Sequence, residues 1–122
     1  MITGRFGDAG QLLFDIELIA ADGERFPVEV LLDTGFTTGW LAINSQDIDF
    51  LGWPLINPTQ AMQTARGEEY FELYAGIVLL DEQEFNIPVV AAIELQENLL
   101  GLQWLQTLRL VVDFPARVLT LG

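Results

Sequence analysis

The sequence predicts a mainly β fold in one domain. Two patterns carry that expectation: apolar and polar residues alternate with a period of two along most of the chain, and turn-forming residues interrupt the alternation about every ten positions. Length supplies the third observation, since 122 residues make one ordinary domain and fall short of two, so residues 1–122 are expected to form a single unit.

Each element follows from local chemistry. Phe14, Ile16 and Leu18 alternate with Asp15 and Glu17, which predicts a strand with one buried and one wet face. Ala21-Asp22-Gly23-Glu24 supplies an Asp-Gly hairpin turn, and the return strand, Arg25 to Leu32, carries Phe26, Val28 and Val30 on one face and ends at Asp33. Trp40 to Ile43 is a short strand, after which Asn44-Ser45 caps a brief helical turn that Gly52 ends. Trp53 to Pro58, with two prolines, is expected to be a loop. From Thr59 to Ala75, two extended arms flank Arg66-Gly67-Glu68, a polar turn whose glycine permits positive φ; this predicts a projecting hairpin. Gly76 to Leu80 and Phe85 to Ile93 form another strand pair around Asp81-Glu82-Gln83. Asn98-Leu99-Leu100-Gly101 is expected to open the one distinct helix, Leu102 to Leu108, whose leucines recur at three-residue spacing. Arg109 to Phe114 and Val118 to Leu121, joined by Pro115-Ala116-Arg117, close the chain as strands.

Composition narrows the function. The chain is 51% hydrophobic with a mean hydropathy of +0.35, which is rich for a small domain and places some apolar surface in a subunit interface. The longest apolar runs, such as Ile87 to Ile93 with Pro88 inside, fall far short of the roughly 18 residues of a membrane-spanning helix. A net charge of −13 argues against nucleic acid and anionic membranes as partners, because both need a cationic surface. The start, MITGRFGDAG, lacks a basic segment followed by an unbroken apolar core, so a cytoplasmic location is expected. Without cysteine there is no disulfide scaffold.

The chain also lacks His and Lys. That removes Ser-His and Cys-His nucleophile pairs, thiolate and imidazole metal sites, and Schiff-base lysines. Carboxylates must carry any proton transfer, and no metal or cofactor is expected. Asp33-Thr34-Gly35, directly after the apolar run Val30-Leu31-Leu32, is the leading candidate; its simplest alternative is a loop in which Asp33 bonds its own backbone. The other acids have local explanations. Asp113 follows an apolar run but lacks the Thr-Gly and is expected at a strand end, and Asp8 fits a turn. Asp22 belongs to its hairpin, and Glu68, Glu69 and Glu72 form a solvated face that could favour basic substrates.

In this order the motifs resemble those of retropepsin-like aspartic proteases, over about the whole chain. The resemblance rests on Leu31-Leu32-Asp33-Thr34-Gly35, the hairpin centred on Arg66-Gly67, and Leu99-Leu100-Gly101 ahead of Leu102 to Leu108. It is strongest to the small prokaryotic branch in which Phe follows the tripeptide, since Phe36 stands where the viral enzymes carry Ala or Ser. The resemblance implies a closed β-barrel of the acid-protease type with a flap hairpin and one short C-terminal helix. It implies Asp33 as the catalytic acid and Thr34, Gly35 and Phe36 as the loop that supports it. Ala65, Arg66, Gly67 and Glu68 become the flap over the substrate, and Leu99, Leu100 and Gly101 the second-half motif. Tyr70, Phe71 and Trp40 are candidates for side-chain pockets as well as for core packing.

Two carboxyl groups about 3 Å apart cannot both ionise cheaply, so they share a proton and act as paired base and acid on a water and a peptide carbonyl. Each chain offers one Asp-Thr-Gly, so the second carboxylate must come from a second copy across a twofold axis. The expectation is a homodimeric aspartic endopeptidase acting on a peptide or protein substrate. Two alternatives stand beside it: an inactive dimer of the same fold that binds a peptide or protein without cutting it, and a β-rich interaction domain in which Asp33 bonds locally. The terminal segments, Met1 to Phe6 and Val118 to Leu121, are candidates for pairing between subunits, on position alone.

Overall fold

Two short strands, β1 (Ile2–Thr3) and β2 (Arg5–Phe6), open the chain in a computed structural model that describes all residues from Met1 to Gly122. The hairpin expected around Asp22-Gly23 follows as β3 (Leu12–Ile19) and β4 (Arg25–Leu32), antiparallel from Leu13↔Leu31 to Ile19↔Arg25. Gly23 takes φ 89°, and Asp22 Oδ1 accepts from the Glu24 N–H at 2.9 Å, so the turn uses both residues for the reasons that make Asp-Gly favourable. Next come β5 (Leu41–Asn44), a 3₁₀ turn at Ser45–Asp47 and the single-turn helix α1 (Ile48–Leu51). Asn44 caps the turn by accepting from the Gln46 N–H, and Gly52 ends the helix at φ 67°, as the sequence predicts.

The segment expected to be a loop, Trp53 to Pro58, is largely strand. β6 (Leu55–Thr64) begins inside it and pairs with β7 (Gly67–Leu80) through two register irregularities, between Leu55 and Asn57 and between Asn57 and Gln60. β6 is the outermost strand of its sheet, so the missing N–H of Pro58 breaks no essential ladder bond. A second correction concerns Gly76, which does not separate two strands. β7 runs through it, because a Cβ there would sit 2.5 Å from Val89 Cγ2 and 3.0 Å from the Trp53 ring; glycine admits close packing and does not break the strand. β8 (Gln83–Ala92) returns from a two-residue turn in which Asp81 and Glu82 have φ 55° and 62°.

Asn98 to Leu100 differs most from expectation. It is a strand, β9, parallel to β4 through Val30↔Asn98, Leu31↔Leu99 and Leu32↔Leu100, and antiparallel to β5. The expected helix at Leu102–Leu108 is shorter, a 3₁₀ turn at Leu102–Gln106, with Thr107 and Leu108 both donating to the Trp104 carbonyl. Three-residue spacing of leucines is the period of a 3₁₀ turn as much as of a helical face. β10 (Leu110–Asp113) and β11 (Val118–Leu121) complete the chain.

The main sheet runs β2-β3-β4-β9-β5-β8-β7-β6, and pairing of Glu17 and Leu18 with Leu79 and Val78 joins β3 to β7 and closes a barrel. Inside lies one core that includes Phe14, Leu18, Val30, Leu41, Val78 and Leu100. Trp104 is fully buried and meets Trp40 and Phe85 edge to face, each with ring centroids 5.1 Å apart. The Trp53 Nε1–H donates to the Ile19 carbonyl at 2.8 Å. A second, three-stranded sheet has the order β1-β11-β10: the two chain ends pair with each other within the chain, and β1 and β10 are its edges. No helix is long and apolar enough to cross a membrane.

Candidate active site

Asp33 is the first residue beyond β4, and the backbone fixes where it stands. Its N–H donates to the Leu100 carbonyl at 2.9 Å, which extends the parallel β4–β9 pairing by one residue. The chain then turns sharply. Gly35 N–H donates to Asp33 Oδ1 at 2.9 Å and Phe36 N–H to the Asp33 carbonyl at 3.1 Å. A Cβ on Gly35 would lie 3.1 Å from Asp33 Oδ1, tighter than ordinary contact, so glycine leaves that N–H free to approach the carboxylate. The local bond that the simplest reading of Asp-Thr-Gly requires is therefore present, and it uses one carboxylate oxygen.

The loop from Thr34 to Gly39 rests on the second-half motif. Gly101 and Leu102 N–H groups donate to the carbonyls of Trp40 and Phe36, and Gln103 donates from its backbone to Gly39 and from its side chain to Thr37, the latter at 2.7 Å. The Trp104 Nε1–H donates to the Trp40 carbonyl at 2.7 Å. Two glycines permit this stacking. A Cβ on Gly101 would meet the Gly39 carbonyl oxygen at 1.9 Å, and one on Gly39 would meet the Phe36 ring at 1.9 Å. Leu-Leu-Gly is thus a strand end followed by a close backbone contact, and Phe36 lies folded against the loop that carries Asp33.

Across from Asp33 stands the hairpin of β6 and β7, turned by Ala65 and Arg66 between Thr64 and Gly67. Thr64 Oγ1 accepts from the Arg66 N–H at 3.2 Å and donates to the Gly67 carbonyl at 3.0 Å, and Gly67 adopts φ 104°. Between hairpin and loop is a cleft of about 510 Å³ whose walls include Asp33, Gly35, Phe36, Arg66 and Leu99. A smaller groove of about 300 Å³, which includes Trp40 in its lining, adjoins it at Met62. The Thr38 hydroxyl approaches the Met62 sulfur at 3.9 Å, where the hairpin arm and the loop meet.

The sequence-predicted residues separate here. Asp33, Gly35, Phe36, Ala65, Arg66 and Leu99 border the cleft. Thr34 does not: it is exposed, and its hydroxyl makes no hydrogen bond within the chain. Gly67 and Glu68 lie at the start of β7 outside the lining, Leu100 is wholly buried, and Gly101 packs beneath the loop. Of the aromatic candidates, Phe71 lines the cleft, whereas Tyr70 is 63% exposed and its hydroxyl donates to Glu68. Strand alternation explains the split, since Glu69 and Phe71 share one face of β7 and Glu68 and Tyr70 the other.

Cleft residues that the sequence did not signal include Met62, Val90, Ile93, Glu94 and Gln96. Most lie in or beside the β8–β9 connection, which no motif marks; Glu94 sits there at φ 58°, a conformation for which glutamate gives no cue. Two of the other acids are occupied locally: Asp113 accepts from the Ala116 N–H at 3.0 Å, and Glu72 from the Tyr74 hydroxyl at 3.1 Å. Burial first, and that bond second, push the Tyr74 hydroxyl above its ordinary pKa. No side-chain group besides Asp33 itself shares a hydrogen bond with the Asp33 carboxylate.

No family model matches the chain, and neither does any curated protein. Among solved structures, the chain is similar to the crystal structure of a retropepsin-like aspartic protease from Rickettsia conorii. The TM-score is 0.70 and the identity 22%, with 98% of this chain and 88% of that one covered. The fold is therefore retropepsin-like and mainly β.

Proposed function

We propose that this chain is an aspartic endopeptidase that works as a homodimer, with Asp33 from each subunit forming the catalytic pair. The observation that carries the reading is the position of Asp33. It stands at the end of β4, held by the Leu100 carbonyl, on the wall of a cleft that the β6–β7 hairpin faces. One carboxylate alone cannot act as both base and acid in the same step. The chain places no second carboxylate in hydrogen-bonding contact with it, so a second copy is the natural source.

In such a dimer one Asp33 takes a proton from a water as the water oxygen bonds to the scissile carbonyl carbon. The other Asp33 gives its proton to the carbonyl oxygen, producing a neutral tetrahedral diol. Collapse then re-forms the carbonyl as the C–N bond breaks: the protonated Asp33 gives its proton to the departing nitrogen, and the ionised one takes the proton that the diol hydroxyl releases. The hairpin would lie over an extended peptide, pair with its backbone and exclude water. The exposed, unpartnered Thr34 hydroxyl is available for contact with the other subunit.

Phe36 supports a second reading. Its ring borders the cleft beside Asp33, and a bulky side chain on that wall suits a dimer that binds peptide without turnover. One experiment separates the two. With a randomised peptide library, Asp33→Asn should lower cleavage by at least about a hundredfold while the protein stays folded and dimeric. Unchanged cleavage by the variant would overturn the protease reading. Absence of cleavage at any pH by the wild type, with peptide binding that survives Asp33→Asn, would establish the binding module instead.

A further inference from the structure

Four charged side chains border the cleft: Asp33, Arg66, Glu69 and Glu94. Arg66 and Glu69 form an ion pair at 3.5 Å and compensate each other across one turn of the hairpin. Asp33 is the proposed reagent. Glu94 alone has neither an ion-pair nor a hydrogen-bond partner in the chain, although its neighbours in the lining, Ile93 and Leu95, are apolar.

The backbone that carries Glu94 is held in place. Glu94 has φ 58°, an uncommon conformation for a residue with a side chain, which persists only where its surroundings fix it. Two bonds do so. Asn44 Nδ2 donates to the Leu95 carbonyl at 3.1 Å, and Asn98 Nδ2 donates to the Glu29 carbonyl at 3.3 Å, so the connection between β8 and β9 is tied down just beyond Glu94 and again at its far end. An exposed, unpaired carboxylate is thereby kept at the rim of a cleft of mixed polar and apolar lining, between apolar Ile93 and Leu95 and opposite the hairpin that would cover it.

We infer that Glu94 is a specificity residue: it selects peptides that place an arginine or lysine side chain in this cleft. This deepens the proposed peptide-binding function and rests on it. A cation there would meet Glu94 as apolar atoms of Ile93, Leu95 and the hairpin cover its methylene stem, which removes water from the pair and strengthens it. The field of the whole molecule acts in the same sense, because a net charge of −13 draws cationic peptides toward the cleft and repels acidic ones.

The test uses paired octapeptide pools, randomised at all positions but one, with either arginine or norleucine fixed at that position, each position taken in turn. Cleavage is measured for the wild type and binding for Asp33→Asn, so that a failure of catalysis is distinguishable from a failure of selectivity. At one position the arginine pool should be favoured about tenfold, the worth of a charge-assisted hydrogen bond. Glu94→Gln should reduce that preference to less than about twofold and Glu94→Asp should retain part of it, because the loss of charge is what matters. Selective binding without any cleavage would uphold this inference and overturn the protease reading. Equal handling of both pools at every position, or a preference that survives Glu94→Gln, would overturn the inference.

Discussion

At Asp33, Gly39 and Gly101 the site depends on how closely backbone can approach backbone. Gly101→Ala would force its new methyl group against the Gly39 carbonyl, where no flexible side chain can move aside. Its expected cost is roughly 1–3 kcal/mol of stability, with a shift of the loop that carries Asp33; chemical denaturation would measure the first and loss of peptide cleavage the second. Gly39→Ala differs in kind, because what it meets is the Phe36 ring. Combining it with Phe36→Ala should recover much of the lost stability, and strictly additive losses in the double variant would show that the ring is not what excludes a side chain there. Tyr74 sets a pH dependence of its own. Burial and its bond to Glu72 raise its pKa in the fold, so the folded state holds the proton more firmly than the unfolded one. That contribution is fully present below about pH 10, the unfolded value, and is lost as pH rises through the higher folded value. Tyr74→Phe should flatten the alkaline decline in thermal stability; an identical decline in both proteins would count against this origin.

Among the elements, those defined by local turn chemistry were legible in the sequence and those defined by distant contacts were not. Asp22-Gly23, Asn44 and Gly52 act within a few residues of themselves, and each does in the fold what its chemistry predicts. The hairpin around Arg66-Gly67 was legible for the same reason. Gly76, by contrast, looks like a strand break until Val89 and Trp53 are seen against it, and Asn98–Leu100 is a strand only because β4 and β5 lie on either side. Edge position likewise decides β6, whose Pro58, with Pro54 just before it, argues for a loop. Of the cleft, the Asp33 wall and the hairpin tip were readable as motifs, while Glu94 was not, since no local pattern brings the β8–β9 connection to the site. Trp104 is the element-scale joint: it is fully buried, and its Nε1–H holds the Trp40 carbonyl at 2.7 Å. Trp104→Phe keeps an aromatic core and leaves that carbonyl the Gly101 N–H alone, so it removes one of two bonds, at about 0.5–1.5 kcal/mol. Hydrogen exchange should quicken at Gly101 and Gln103, which bridge to the loop, more than at Val78 in the barrel wall; equal quickening would mean that the joint is not local.

For the molecule as a whole, assembly is the feature on which proposed function turns. Both chain ends are already paired within the chain through β1 and β11, and of the two free edges of that sheet, β1 and β10, the second has Val111, Val112, Phe114 and Val118 exposed around it. Contact between subunits is expected to use that edge and not an exchange of termini. Val112→Glu should weaken the dimer without unfolding the chain, as sedimentation and circular dichroism would report. With −13 charges on each subunit, added salt should tighten wild-type association by screening their repulsion.

The most direct test of the central claim, that Asp33 works only beside another Asp33, is a mixing measurement. Wild-type and Asp33→Asn chains are re-equilibrated in varied proportion at constant total concentration, and peptide cleavage is followed. If each active site needs two Asp33 residues, the rate falls as the square of the wild-type fraction, to about a quarter in an equal mixture. A rate that falls in simple proportion, to about half, would mean that one Asp33 suffices and would contradict the account.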